Sequence, residues 1–504
     1  MPVIVLSFPL QAIAAALLGA AHALAFAPWN HGWLQVLALA ALFALADSAR
    51  GAPRAALTGF AFGLGWFGVG VSWVYISMHV YGGMWAWLAV LATVAFAALL
   101  ALFPALALWA GTRWVAPSPL RPLLALPAAW AAAEWLRGVL FTGFPWLASG
   151  YAHTDTPLAG FAPVVGVYGL TLLAALAAGA LVALLRHRSR PVAASAVAVL
   201  VALVAGGEAL RSVEWTQAAG APIRVRLVQG NIPQNLKFGP EGLRRAHDTY
   251  MRLMRAGERA DLVVLPESVF PLPLAYLPDA VTRDLLDFTG SRSSALVFGV
   301  FVEDPPGRYY NSAIGLAPGA PPQRYSKRHL VPFGEFIPWG FRWFVDRMAI
   351  PIGDQERGPA YQPPMTLAGQ RIAVNICYED LFGAEIIDAW RDPGNAPTLL
   401  LNLSNLAWFD DSIALAQHLQ ISRLRALETG RPMLRATNTG ATAIVDARGR
   451  VVAQLPFNTE GALDGTVRGH VGTTPYVRLG DGPALAAIAA LLLAAFAAGR
   501  ARRP

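Results

Sequence analysis

A single cysteine in 504 residues leaves no intramolecular disulfide to form, so any large domain in this chain is held by its core alone, even in an oxidising compartment. Charge is scarce as well. Asp, Glu, Lys and Arg supply 14% of the residues against 55% hydrophobic, and the mean hydropathy of +0.46 excludes an ordinary soluble protein of several domains. A basic face is also missing: the formal charge is +8, yet the arginines stand singly or beside apolar runs, without interleaved aromatics, which argues against a nucleic-acid partner. No glycine-rich phosphate loop occurs, and the nine histidines include no pair at a familiar ligand spacing beside carboxylates. No metal or other cofactor is therefore expected.

What the chain does have is apolar length. A helix needs about 20 apolar residues to cross a hydrocarbon core of about 30 Å, and runs near that length fall at 5–27, 33–49, 57–78, 85–112, 121–137, 160–185, 191–211 and 482–499. The run holding Trp130, Glu134 and Trp135 is the odd one, because an acidic group in lipid needs a partner; a re-entrant segment is the alternative there. Loop charges set the orientation. Arg50 and Arg54, Arg113, the group Arg186, Arg188 and Arg190, and the tail Arg500, Arg502 and Arg503 occupy alternate connections, while the loops near Pro28 and His79 carry no Lys or Arg. Both termini are then expected on the cytoplasmic side and the polar part outside. The first run lacks the basic start of a cleavable signal and reads as a retained helix. The expected organisation is a seven-helix bundle over 1–211, a polar domain over 212–478, and an eighth helix with a basic tail over 479–504.

From Pro222 the periodicity changes. Ile223, Val225 and Leu227 alternate with Arg224 and Arg226 and run into Gln229-Gly230-Asn231, a strand ending in a polar loop. Helical spacing follows at Leu243, Ala246, Tyr250 and Leu253, then a buried strand over 261–265, a helix over 278–288 and strands over 295–302, 311–316, 371–376, 398–403 and 433–437. A long helix over 412–429 precedes the last of these, and Asp446 to Gly449 reads as the turn of a hairpin between 441–445 and 451–455. This alternation predicts an α/β sandwich with its functional loops at strand ends.

Three of those loops carry titratable groups: Glu267 after Val-Val-Leu-Pro266, Lys327 after Tyr325-Ser326, and Cys377 after Val-Asn-Ile376. A thiol is a poor nucleophile at neutral pH until a base takes its proton or a cation stabilises the thiolate. Glu267 supplies the base and Lys327 the cation, and the Lys327 ammonium and the Tyr378 amide are candidate donors to an oxyanion. The bland alternatives are a cysteine acting as a small buried hydrophobe, a solvated loop carboxylate at Glu267, and a surface lysine beside Arg328.

These segments resemble the nitrilase, or carbon-nitrogen hydrolase, superfamily. The resemblance rests on Pro266-Glu267, on Lys327 with Leu330 to Glu335, and on Cys377-Tyr378-Glu379. It extends through Asn402 to Trp408, Gln417-His418, Arg423 to Glu428 and Arg435 to Gly440. It implies an αββα fold, a catalytic Glu267, Lys327 and Cys377, and Glu335 as a second carboxylate orienting the lysine; Tyr378 and Glu379 are read as supporting residues. With seven helices before it and one after, the chain resembles the apolipoprotein N-acyltransferases. That implies an enzyme of the bacterial inner membrane, multi-pass and monomeric, with a periplasmic catalytic domain. It would take an acyl chain from a phospholipid, typically phosphatidylethanolamine, and pass it through a Cys377 thioester to the amino group of a diacylglyceryl-cysteine apolipoprotein. A membrane-tethered amidase with the same three residues is the alternative. One loop departs from the family pattern, with Leu406 where Asp is expected and Asp410 where Gly is expected, which puts substrate fit there in doubt. Trp408 in that loop, with Trp339, Phe341 and Phe344 after Glu335, are candidate contacts to substrate or membrane. The apolar segment Val269 to Leu277 is another; packing as core is the alternative for both segments.

Overall fold

The computed structural model describes residues 7–187, 189–237, 240–340, 342–343 and 354–500. Arg188, Arg502, Arg503, Phe341 and Phe344 lie outside the described residues. The chain divides into two compact units, one formed by Met1–Tyr75, Trp85–Glu214 and Arg478–Pro504, the other by Ile76–Met84 and Trp215–Val477.

The first unit is helical, because apolar runs without water must satisfy their backbone internally. Among the described residues, five helices have the length and apolarity to span a membrane: Ala86–Arg113, Arg121–Thr142, Pro157–Arg186, Arg190–Arg211 and Gly482–Gly499. Ala52–Gly70 and Val74–Tyr81 make a sixth candidate bent by 61°. Phe8–Ala23 and Gly32–Asp47 are shorter, at 16 residues each, or about 24 Å. Small residues let these helices approach closely: a Cβ on Gly63 would lie 2.6 Å from the Cα of Ala101. Glu134 is buried, with Oε2 accepting from the amide of Ser149 at 2.7 Å and from Thr171 Oγ1 at 3.4 Å, and Oε1 accepting from the Ser149 hydroxyl. It thus ties its helix to the 3-10 turn Ser149–His153 and to the helix Ala162–Arg186.

The second unit is the predicted sandwich. Its described strands form two six-stranded sheets and one two-stranded sheet. One large sheet orders Gly461–Val467, Ile223–Gln229, Leu262–Val264, Ala295–Glu303, Tyr309–Leu316 and Gln323–Ser326; the other orders Val451–Gln454, Ala443–Val445, Met433–Thr437, Leu399–Ser404, Gln370–Ile376 and Met365–Leu367. The inner faces share one core, in which Leu227, Val264, Val297 and Ala313 meet Ile372, Ile376, Leu401, Leu403 and Leu434. The outer face of the first sheet is covered by the helices Pro240–Arg255 and Asp279–Arg292, through Met254, Leu285 and Phe288. Ile413–Thr429 covers that of the second, through Leu419 and Ala426. Burial on both faces explains why Leu399–Ser404 reads as an apolar run without alternation.

The predicted strands form close to their expected limits. Five others are absent from the sequence reading: Gly461–Val467, Gln323–Ser326, Met365–Leu367 and the pair Thr216–Ala218 with His470–Gly472. Each is short or rich in Gly, Gln, Thr and Asp; Gly461–Val467 and the pair Thr216–Ala218 with His470–Gly472 also take their ladders from partners remote in sequence, whereas Met365–Leu367 and Gln323–Ser326 pair with the adjoining strand.

Candidate active site

Three strand ends, two from one large sheet and one from the other, carry the site residues. The strand Leu262–Val264 runs parallel to Ala295–Glu303 and hands its chain to Leu265-Pro266-Glu267. That turn needs a bare backbone beside it, because a Cβ on Gly299 would lie 2.6 Å from the Cα of Glu267 and 2.7 Å from the Pro266 carbonyl oxygen. Lys327 follows Gln323–Ser326 directly, and its amide donates to the carbonyl of Asn311 at 2.8 Å. Cys377 follows Gln370–Ile376 and adopts φ +53°, a left-handed backbone that costs a non-glycine residue of order 1 kcal/mol or more.

Lys327 is fully buried, and Glu267 and Glu335 nearly so. Its Nζ lies 2.7 Å from Glu335 Oε1 and 3.4 Å from Glu267 Oε1. Asn311 Nδ2 donates to Glu267 Oε1 at 2.7 Å and, more weakly, to Glu335 Oε1 at 3.4 Å. The outer oxygens are held by main chain, Glu267 Oε2 by the Asn405 amide and Glu335 Oε2 by the Val331 amide, both at 2.8 Å. Burial opposes the Lys327 ammonium, but the two carboxylates and Cys377 outweigh it and raise its pKa, so the lysine stays charged. Burial pushes the Cys377 thiol up, the charge of Glu267 adds to that, and Lys327 opposes it. Thiol, base and cation therefore feel one another, and the resting sulfur carries its proton.

Glu379 joins the lysine loop to the cysteine loop. Its Oε1 accepts from the amides of Arg328 and His329 at 2.6 and 3.2 Å, its Oε2 from that of Ile376 at 2.6 Å, and Tyr325 Oη donates to both oxygens. Burial raises its pKa to about 7 against those hydrogen bonds. Tyr378 is buried, with its ring 5.3 Å from that of Phe382 and 5.7 Å from that of His329.

The candidate contact residues divide. Trp339 is 99% exposed and Trp343 67% exposed, which rules out core packing for that part of the segment. The segment after Glu267 gives the opposite result at its ends: Val269, Phe270 and Leu277 pack into the core between the first sheet and its helices, while Leu272 and Tyr276 remain exposed. Only the middle of that segment is exposed. Trp408 is partly exposed, with its ring edge-on to Tyr81 at 6.0 Å. Asp410 adopts φ 48° and ψ −153°, close to a region that only glycine enters freely. The glycine expected there answers a backbone requirement that this chain meets with strain.

Sequence reading missed Asn311, Asn405, Gly299 and Tyr325. A polar Asn311 inside the apolar strand Tyr309–Leu316 was the available signal, since a buried amide needs a partner. Among the described residues no group of three His, Cys, Asp or Glu side chains could hold a metal ion.

Residues 224–476 match the carbon-nitrogen hydrolase family, and residues 18–180 match the apolipoprotein N-acyltransferase N-terminal domain. The chain is 51% identical to the apolipoprotein N-acyltransferase of Ralstonia nicotianae, over 96% of this chain and 93% of that protein. It is 47% identical to that of Bordetella bronchiseptica, over 96% of each. It is also similar to the carbon-nitrogen hydrolase structure from Helicobacter pylori G27, with a TM-score of 0.37 and 14% identity over 49% of this chain and 88% of that one. With the family matches at both ends of the chain and relatives alike over nearly all of it, this chain belongs to the apolipoprotein N-acyltransferase family.

Proposed function

We propose that this protein is a bacterial inner-membrane N-acyltransferase that moves an acyl chain from a phospholipid, by way of a Cys377 thioester, to the α-amino group of a diacylglyceryl-cysteine apolipoprotein. The observation that carries the reading is the buried group of Lys327 between Glu267 and Glu335, electrostatically coupled to the Cys377 thiol. In the first half-reaction Glu267 takes the thiol proton as sulfur attacks the ester carbonyl, so no net charge enters the buried site. Lys327 Nζ and the Tyr378 amide stabilise the oxyanion. The intermediate collapses by breaking the ester C–O bond, and Glu267 returns its proton to the departing glyceryl oxygen, giving a lysophospholipid and the thioester. In the second half-reaction the amino group attacks the thioester, Glu267 removes its proton, and the thiolate leaves and is reprotonated. This is a ping-pong sequence.

Glu335 holds the lysine between strokes, and Tyr378 and Glu379 hold the cysteine loop. Exposed Trp339, with Phe341 and Phe344 beside it in sequence, and Trp408 contact lipid substrate or the membrane surface. The bundle over 1–211 and the final helix anchor the chain with both termini in the cytoplasm, and the domain over 212–478 works in the periplasm as part of a monomer. Phosphatidylethanolamine is the proposed donor.

Proteoliposomes containing acyl-labelled phosphatidylethanolamine and a diacylglyceryl-cysteine peptide test the reading. Label is expected on the peptide amino terminus. Ammonia from small amides without peptide labelling would replace it with the amidase reading, and release of free fatty acid alone would show hydrolysis of the lipid ester in place of transfer.

A further inference from the structure

Beneath Cys377 lies a second set of buried polar groups that the chemistry above does not use. His418, Asp380, Arg435 and Asn402 are each fully buried. Arg435 Nη2 lies 2.6 Å from His418 Nδ1. A guanidinium can only donate, so Nδ1 must accept, and the imidazole proton is assigned to Nε2. That Nε2–H faces two acceptors, Asp380 Oδ1 at 2.8 Å and the main-chain carbonyl of Cys377 at 3.2 Å. Asn402 Nδ2 donates to the same carbonyl at 3.2 Å, and its own Oδ1 accepts from Arg435 Nη1 and from Ser404 Oγ. Asp380 in turn accepts from Arg435 Nη1 at 3.3 Å and from the Ser422 hydroxyl. Arg435 and Asp380 balance each other's charge, and burial keeps His418 neutral with a lowered pKa.

Two side-chain donors thus converge on the carbonyl of the one residue in the Cys377 turn whose backbone is left-handed. Both hydrogen bonds to this carbonyl are partly buried, where a carbonyl without a partner is costly, and the two donors meet it in this orientation. We infer that His418 and Asn402 are positioning residues for Cys377: their N–H groups grip its carbonyl and hold it in the strained conformation that presents sulfur to Glu267 and Lys327. Arg435 and Asp380 act one step further out, by fixing the His418 tautomer and ring. The inference rests on reading Cys377 as the nucleophile.

The test is single-turnover acyl-enzyme formation from phosphatidylethanolamine by the full-length protein in liposomes. His418→Leu removes a donor at nearly constant volume and is expected to slow acylation about 100-fold, as misplacing a reacting group does, with the phospholipid concentration at half-saturation unchanged. His418→Gln carries an amide donor at comparable reach and is expected to recover most of the rate. Should His418→Leu fail to fold, Asn402→Ala, which removes the other donor, is read in the same way. Wild-type rates in a folded His418→Leu, or equal losses in His418→Leu and His418→Gln, would overturn the inference. Cys377→Ala keeps the two claims apart: acyl transfer surviving in that variant sinks the nucleophile itself, whereas a dead Cys377→Ala beside a fast His418→Leu sinks only the positioning role.

Discussion

Glu134 in the helical unit and Glu267 in the sandwich are about equally sealed from solvent, at 3% and 6% exposure, yet they are held for different ends. Glu134 meets neutral donors, the Ser149 amide and hydroxyl and the Thr171 hydroxyl, with Arg137 Nη2 at 3.9 Å. Its acceptor sites are filled from fixed positions, and the outcome is a clasp between helices. Glu267 shares one ammonium with Glu335 and stands in the field of a thiol that still carries its proton. Glu267 also accepts from neutral donors, Asn311 Nδ2 and the Asn405 amide, so the difference lies in the shared ammonium and the thiol beside it: a buried carboxylate next to a transferable proton can do chemistry.

That contrast can be broken in graded steps. The largest effect is expected for Lys327→Met, which leaves two buried carboxylates without their cation: acylation should fall about 1,000-fold, with loss of about 3 kcal/mol in thermal unfolding. Glu335→Gln keeps the shape but weakens the 2.7 Å contact that aims the lysine, and a fall of up to about 100-fold in the same assay is expected. Glu134→Gln should do the reverse, lowering stability by about 1–3 kcal/mol through imperfectly met donors while acyl transfer per folded molecule is retained; a large loss of specific activity there would erase the distinction between the two carboxylates. The smallest effect is expected from Asp410→Gly, where relief of the unfavourable backbone should exceed glycine's entropic cost and raise stability by about 1 kcal/mol.

The sandwich was legible where burial marks the composition: Ile223–Gln229 opens on alternating apolar and charged residues, Ala295–Glu303 is a nearly unbroken apolar run, and Ile413–Thr429 is a long stretch without Gly or Pro. The strand Gln323–Ser326, which delivers Lys327, was not, because four mostly polar residues carry no period and depend on Tyr309–Leu316 for their hydrogen bonds. The same division runs through the site. Glu267, Lys327 and Cys377 stand out as titratable groups closing apolar segments, and Glu335 emerged only through resemblance. Asn311 and the main-chain amides of Asn405 and Val331 act by position, which no side-chain pattern announces. Val269 and Phe270 misled because an apolar pair looks the same whether it enters a core or a bilayer.

Intact-mass spectrometry of the protein after exposure to phosphatidylethanolamine alone, followed by peptide mapping, tests the central claim most directly. One fatty-acyl adduct on Cys377, labile to hydroxylamine and absent from Cys377→Ala, is the expected result. An unmodified Cys377 in protein that still acylates a diacylglyceryl-cysteine peptide would contradict it.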